Sequence, residues 1–130
     1  GLLWIFLWIA TQFVFIAIPE QFFYRGYIQT RIGDLLARRR GDSGGEGDDD
    51  PETQPSWLGV TIPNVAASVL FSLGHLFVPV GGAILVNRAA VFFPSLVFGW
   101  LRDKTGTIGA SVIYHAFANM MVLLTAPHFM

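Results

Sequence analysis

Charge is confined to a few places in this chain. Of its eight basic and nine acidic residues, all but Glu20, Arg25 and Arg88 fall in two short clusters, Arg31 to Glu52 and Arg102 to Lys104. The stretches between are apolar: Gly1 to Pro19 carries no charge, and Leu58 to Asn87 and Thr105 to Met130 carry none beyond histidine. Each run is near or above the roughly 20 residues that span a hydrocarbon core. Ala89 to Leu101 is short alone and becomes a span if it begins before Arg88, near Ala83. The expectation is an all-α fold: a single domain over residues 1–130, built as a multi-pass transmembrane bundle of about four helices.

Composition agrees, since 53% hydrophobic and 13% charged residues are too apolar a mixture for a soluble domain of this length. The first run lacks the basic start and small-residue cleavage site of a signal peptide and continues into Glu20, so it reads as a genuine span. The chain opens on Gly1 rather than Met, which suggests a piece of a longer protein with further helices upstream. The absence of cysteine excludes disulfides, thiolate metal sites, cysteine nucleophiles and thiol-linked lipid anchors on this chain. A net charge of −1 points to no nucleic-acid partner.

Residues Arg38 to Arg40 lead into a Gly-, Pro- and acid-rich stretch without apolar residues, which reads as a disordered acidic loop at about 39–56. The basic residues at its start, with Arg102 and Lys104, put loops 31–57 and 102–107 on the cytoplasmic side of a cell membrane, with the lipid bilayer as constant partner. Pro63 suits the first turn of the second helix. Pro19 and Pro94, inside the first and third, are expected to kink them.

Three polar sites punctuate the apolar runs: Glu20-Gln21 with Arg25, Phe71 with His75, and His115 with Asn119. An ionisable group at membrane depth costs roughly 2.5 to 3.5 kcal/mol on insertion scales, so it usually marks a functional interior. Counting about 1.5 Å per residue inward from Arg31, Pro63 and Thr107 puts Glu20, His75 and the His115/Asn119 pair roughly 12 to 18 Å from the cytoplasmic edge. That is near the middle of a core about 30 Å thick. One shared polar cavity near mid-bilayer is expected. His115 and Asn119, four apart, project from one helix face with Ser111 a turn earlier, and Phe71 and His75 share a face likewise. Arg25 is expected to bond Gln21 or a neighbouring helix, leaving Glu20 to face the cavity.

Such a cluster has the parts of a hydrolase without a covalent intermediate. A carboxylate beside a histidine can hold and deprotonate a water. A second histidine and an asparagine amide can donate hydrogen bonds to the oxyanion formed at a peptide carbonyl. No cofactor is required. If a metal is bound, Glu20, His75 and His115 would ligate zinc with a position open for water, although no His-Glu-x-x-His helix is present and no separate carboxylate would remain as base.

The order Glu-Gln-x-x-x-Arg, Phe-x-x-x-His and His-x-x-x-Asn on successive helices resembles the CAAX prenyl endopeptidase and bacteriocin-processing family of intramembrane proteases, often labelled CPBP or Abi. The resemblance runs from Ile18 to Leu124. It implies an intramembrane endopeptidase, glutamate-type or metal-dependent, acting on a peptide or prenylated-protein-like substrate. Glu20 and His75 would activate the water, His115 and Asn119 would stabilise the oxyanion, and Gln21, Arg25 and Phe71 would support them. One departure stands out: Gln21 occupies the place of the family's second glutamate. If that glutamate normally balances Arg25, the arginine here is left to lean toward Glu20 or another anion. The alternatives are a non-catalytic binding, immunity or scaffold protein that keeps the family's core, and a proton-coupled transporter using Glu20, the latter disfavoured by the lack of an inverted repeat.

Overall fold

The computed structural model describes residues 1–39, 56–78 and 86–125. The expected acidic loop, Pro79 to Gly82 after the second helix, and His128 lie outside these residues. Four helices make up the described chain: α1, Leu2–Arg39; α2, Ile62–Phe77; α3, Phe92–Thr105; and α4, Gly109–Thr125. A 3-10 stretch, Val86–Val91, leads into α3.

α1 is the one helix among the described residues that is long and apolar enough by itself to cross a membrane. α2 and α4 are apolar but run only 16 and 17 residues, shorter than the spans expected from the charge-free runs. The distribution of side chains is nonetheless that of a membrane bundle. Phe15, Phe77, Phe93 and Val122 are 74%, 67%, 69% and 65% exposed, while Gln21, Arg25, Asn64, Ser68, Ser95 and Ser111 are fully buried. Water would invert that pattern. Lipid permits it, because apolar surface costs nothing there and polar groups must find partners within the protein.

Pro19 disturbs α1 without ending it. Wider i→i+5 turns run over Gln12–Ala17 and Phe22–Gln29, on either side of a short α segment Ile18–Gln21 that holds the proline. A ring without an N–H cannot serve the carbonyl four residues back, and the shifted ladder accommodates that loss. The shift also has a positional effect. Residues four apart on an α-helix drift by about 40° around the axis, and the wider turns offset this, so Ala17, Gln21, Arg25 and Gln29 all stay buried on one stripe. Pro94 falls in the first turn of α3, where the 3-10 stretch gives way to α-helix, rather than in the helix interior.

A two-stranded antiparallel ribbon, β1 Ser56–Trp57 and β2 Val60–Thr61, precedes α2 and was not expected from the sequence. Its turn residues Leu58 and Gly59 both have positive φ, 55° and 77°, as a two-residue hairpin turn requires. Thr61 then caps α2 by accepting from the Asn64 N–H at 3.3 Å, with Pro63 in the first turn as anticipated. Gly106, at φ 70°, closes α3 through its N–H to the Arg102 carbonyl at 2.9 Å, and α4 follows after a short connection. α3 packs against both α2 and α4; the stretch of α1 around Phe22–Gln29 lies on α2, and that around Gln12–Ala17 on α4.

Candidate active site

The polar residues of α1 meet α4 at His115. This ring is buried, stacked on Phe98 at 4.9 Å between centroids and meeting Phe71 edge-on at 5.9 Å. Its Nε2 lies 3.6 Å from Glu20 Oε2, and its Nδ1 lies 3.0 Å from Gln21 Nε2. Ser111, one turn before His115, donates to the Phe98 carbonyl at 2.6 Å and ties α4 to α3 at this level.

His75 approaches the same place from α2. Its Nδ1 stands 2.9 Å from the Phe71 carbonyl; a carbonyl only accepts, so Nδ1 carries the proton and the Nε2 lone pair is left free in the neutral ring. The His75 ring lies 4.3 Å from that of Phe71, so Phe71 separates the two histidines and orients both. Glu20 is half-buried and is an electrostatic neighbour of His75. Tyr24 packs edge-on against Phe71 at 5.0 Å, and a Cβ at Gly74 would come within 2.7 Å of its hydroxyl.

Glu20, Gln21, Phe71, His75 and His115 are therefore brought together from three helices. Asn119 stands one turn farther along α4, where its amide donates to Gln12 Oε1 at 2.9 Å. Gln12 was not singled out from the sequence. The signal was available, since Thr11 and Gln12 are the polar side chains in the otherwise apolar run before Pro19, and an amide in a membrane helix usually seeks a partner on another helix.

Arg25 takes one of the two pairings expected of it. It leans neither on Gln21 nor on Glu20. Its guanidinium donates to Gln29 Oε1 at 3.0 Å, Asn64 Oδ1 at 3.1 Å and Ser68 Oγ at 3.0 Å, and to the carbonyl and hydroxyl oxygens of Ser95. The neighbouring-helix alternative is the one realised, with α2 and α3 both held. The nearest anion in this network is Asp103, which accepts from Gln29 Nε2 at 2.7 Å and from Thr61 Oγ1 at 2.8 Å. Gln29, Asn64, Ser68 and Ser95 were missed from the sequence because serine and asparagine scattered through apolar runs carry no charge signal. A Cβ at Gly26 would meet Ile108 at an ordinary 3.7 Å. The tight approach is at Gly99, where a Cβ would run into the Asn64 side-chain oxygen.

An apolar open volume adjoins the cluster. A groove of about 300 Å³ runs between α1 and α4, lined by residues that include Trp8, Gln12, Phe13, Ala116 and Phe117. Among the described residues no group of three His, Cys, Asp or Glu side chains is gathered as metal ligands.

A helical membrane bundle with a carboxylate and two histidines converging from separate helices defines a class of protein that works on chemistry inside the bilayer. Over residues 2–121 the chain matches the family described as Type II CAAX prenyl endopeptidase Rce1-like, and it belongs to that family. No curated protein matches it, and no solved structure does. Family membership makes it a membrane protease of the CAAX type, a hydrolase whose substrate is a membrane-associated peptide or protein.

Proposed function

We propose that this chain is a multi-pass endopeptidase of the cell membrane, with loops 31–57 and 102–107 cytoplasmic, that hydrolyses a peptide bond through water activated by Glu20 and His75. The single observation that carries the reading is the pairing of Glu20 Oε2 with His115 Nε2 at 3.6 Å, beside a His75 whose Nε2 lone pair is free. A base and a hydrogen-bond donor then flank one point.

In this mechanism a water held between Glu20 and His75 gives its proton to the Glu20 carboxylate as its oxygen bonds to the substrate carbonyl carbon. The carbonyl oxygen takes up the negative charge and receives hydrogen bonds from His115 and Asn119. Collapse of the tetrahedral species breaks the C–N bond, and Glu20 returns the proton to the departing amine, so the enzyme ends as it began. The apolar groove beside Ala116 suits an apolar or lipid-modified portion of the substrate. No step is routed through a metal.

The test is cleavage of a membrane-tethered peptide library by the detergent-purified protein, with Glu20→Gln as the comparison and a chelator in a parallel wild-type sample. Product from wild type, lost in Glu20→Gln and retained in chelator, is the expected result. Retained product in Glu20→Gln would sink the role given to Glu20, and loss in chelator would replace the metal-free route. Binding of a partner by wild type and Glu20→Gln alike, with no product from any peptide, would favour the scaffold reading.

A further inference from the structure

The hairpin before α2 carries apolar side chains where a hairpin in water carries polar ones. Trp57 and Leu58 are each 80% exposed, and Leu58 opens the turn at φ 55°. That left-handed conformation suits glycine, asparagine or aspartate and is unfavourable for leucine. In water the tip would be poorly chosen twice over, in backbone and in exposure; in lipid the second cost disappears, because the side chains leave water. The placement of the ribbon agrees. Gly59 backs onto the Trp100 indole, where a Cβ would come within 3.4 Å of Nε1. Thr61 donates to Asp103 Oδ2 at 2.8 Å, and Arg102 donates to Thr30 Oγ1 at 2.7 Å. The base of the ribbon is thus tied to the level at which α1 and α3 pass from apolar to charged residues, where Arg31 and Lys104 are exposed. Tryptophan and basic side chains gathered at the ends of apolar helices mark the boundary between membrane and water. Trp57 also lines a groove of about 490 Å³ with Ile62, Val65 and Ala66 of α2, so the ribbon lies alongside the first turns of that helix. Ile62, Val65 and Val69 are exposed on α2 and carry the apolar surface onward from the tip.

We propose that the hairpin Ser56–Thr61 is an interfacial anchor whose partner is the phospholipid of the cytoplasmic leaflet. Trp57 and Leu58 sit at the boundary between headgroups and acyl chains, and an acyl chain fills the groove between Trp57 and α2. Arg31 and Lys104 stand at the level of the lipid phosphates, whose charge theirs complements. Two observations select lipid as the occupant: the tip is continuous with the exposed apolar side of α2, and cations flank it at the same end of the bundle. The anchor has a consequence for the site. Thr61 caps α2, the helix that carries His75, so a hairpin held at the boundary fixes the depth of His75 at roughly 20 Å, counted at about 1.5 Å per residue. The proposal rests on the orientation proposed above only for which leaflet is named; the depth of the tip does not depend on the reaction.

The chain has no cysteine, so a single introduced thiol takes a nitroxide label cleanly. Leu58→Cys and Trp57→Cys report the tip, and Phe15→Cys, on the exposed apolar side of α1, is the reference for lipid. Each labelled protein is reconstituted in vesicles of phosphatidylcholine and phosphatidylglycerol. Collisions with oxygen, which concentrates in lipid, are compared with collisions with a water-soluble nickel chelate, and the ratio is calibrated on lipids labelled at known depth. The labels at 57 and 58 are expected about 5–10 Å below the phosphates, with the Phe15 label deeper. A label at 58 that meets the nickel chelate as freely as it would in water overturns the anchor, and so does one that neither reagent reaches, which would mark a tip packed on protein. If Leu58→Cys does not fold, Trp57→Cys gives the same reading. Leu58→Asn then separates lipid seating from turn geometry. Asparagine suits the backbone of the turn better than leucine does, yet it removes an apolar anchor, so a label at Trp57→Cys should shift toward water in that background; an unshifted label overturns the role of Leu58. A deep Phe15 label beside a water-exposed label at 58 sinks the anchor alone. A Phe15 label in water sinks the membrane reading and the anchor with it.

Discussion

Replacing Arg25 with methionine removes the side chain that fastens α1 to both α2 and α3 while nearly conserving volume. Gln29 Oε1 then loses the donor it has at 3.0 Å, and Asn64 Oδ1 keeps only the Ser68 hydroxyl at 3.2 Å. Each buried acceptor left without a donor costs about 1–3 kcal/mol. The uncharged methionine recovers part of that by avoiding burial of a cation, whose desolvation costs several kcal/mol. Because the guanidinium is well satisfied where it sits, loss of its bonds outweighs that recovery, and Arg25→Met should destabilise the bundle by about 2–4 kcal/mol. Reversible unfolding in mixed micelles titrated with SDS, followed by the fluorescence of the four tryptophans, measures this. The double variant Arg25→Met/Gln29→Leu removes the orphaned acceptor but also the Gln29 Nε2 bonds to Asp103 and the Gly99 carbonyl, so its loss should fall short of the sum of the two single changes by about 1 kcal/mol or more. An Arg25→Met protein as stable as wild type, or a double variant whose loss equals the sum of the two single changes, would refute the reasoning that this network holds the three helices through its acceptors.

Two further perturbations address neighbouring parts of the bundle. Gly99→Ala places a methyl group against the Asn64 side-chain oxygen and 2.7 Å from the Arg25 guanidinium; a loss of about 1–3 kcal/mol is expected from such overpacking, and no change in the SDS titration would contradict the close approach of α2 and α3. Gln12→Leu frees the Asn119 amide from its 2.9 Å partner, so kcat in the cleavage assay should fall roughly 10- to 100-fold through misplacement of that donor, with the unfolding midpoint nearly unchanged; wild-type kcat would remove Gln12 from the positioning of Asn119.

Several parts of this fold were legible in the residues because their causes are local. Charge-free runs mark the segments that can lie in lipid, Pro63 marks a helix start, and Glu20 and His115 stand out because an ionisable group in such a run needs a reason to be there. The approach of Glu20 to His115 could be anticipated from depth counted along two straight helices. The partners of Arg25 could not. They lie 39 to 70 residues away along the chain for Asn64, Ser68 and Ser95, on positions where serine and asparagine give no distinct pattern. Nor could the wider turns of α1 be read, since Pro19 announces a disturbed ladder without stating how the ladder recovers.

The sequence by itself determined which segments are apolar enough for a membrane, where the second helix begins, and which few side chains carry chemistry into the interior. Each of these follows from transfer energies and backbone restrictions acting within a turn or two of the residue concerned. Only the tertiary structure decided how those side chains are paired: Gln21 with His115 rather than Arg25, Gln12 with Asn119, and Arg25 with α2 and α3. In an interior without water every donor must find an acceptor on whichever helix stands opposite. That choice depends on the rotation and approach of whole helices, which here turn on two stretches of wide turns in α1 and one glycine in α3.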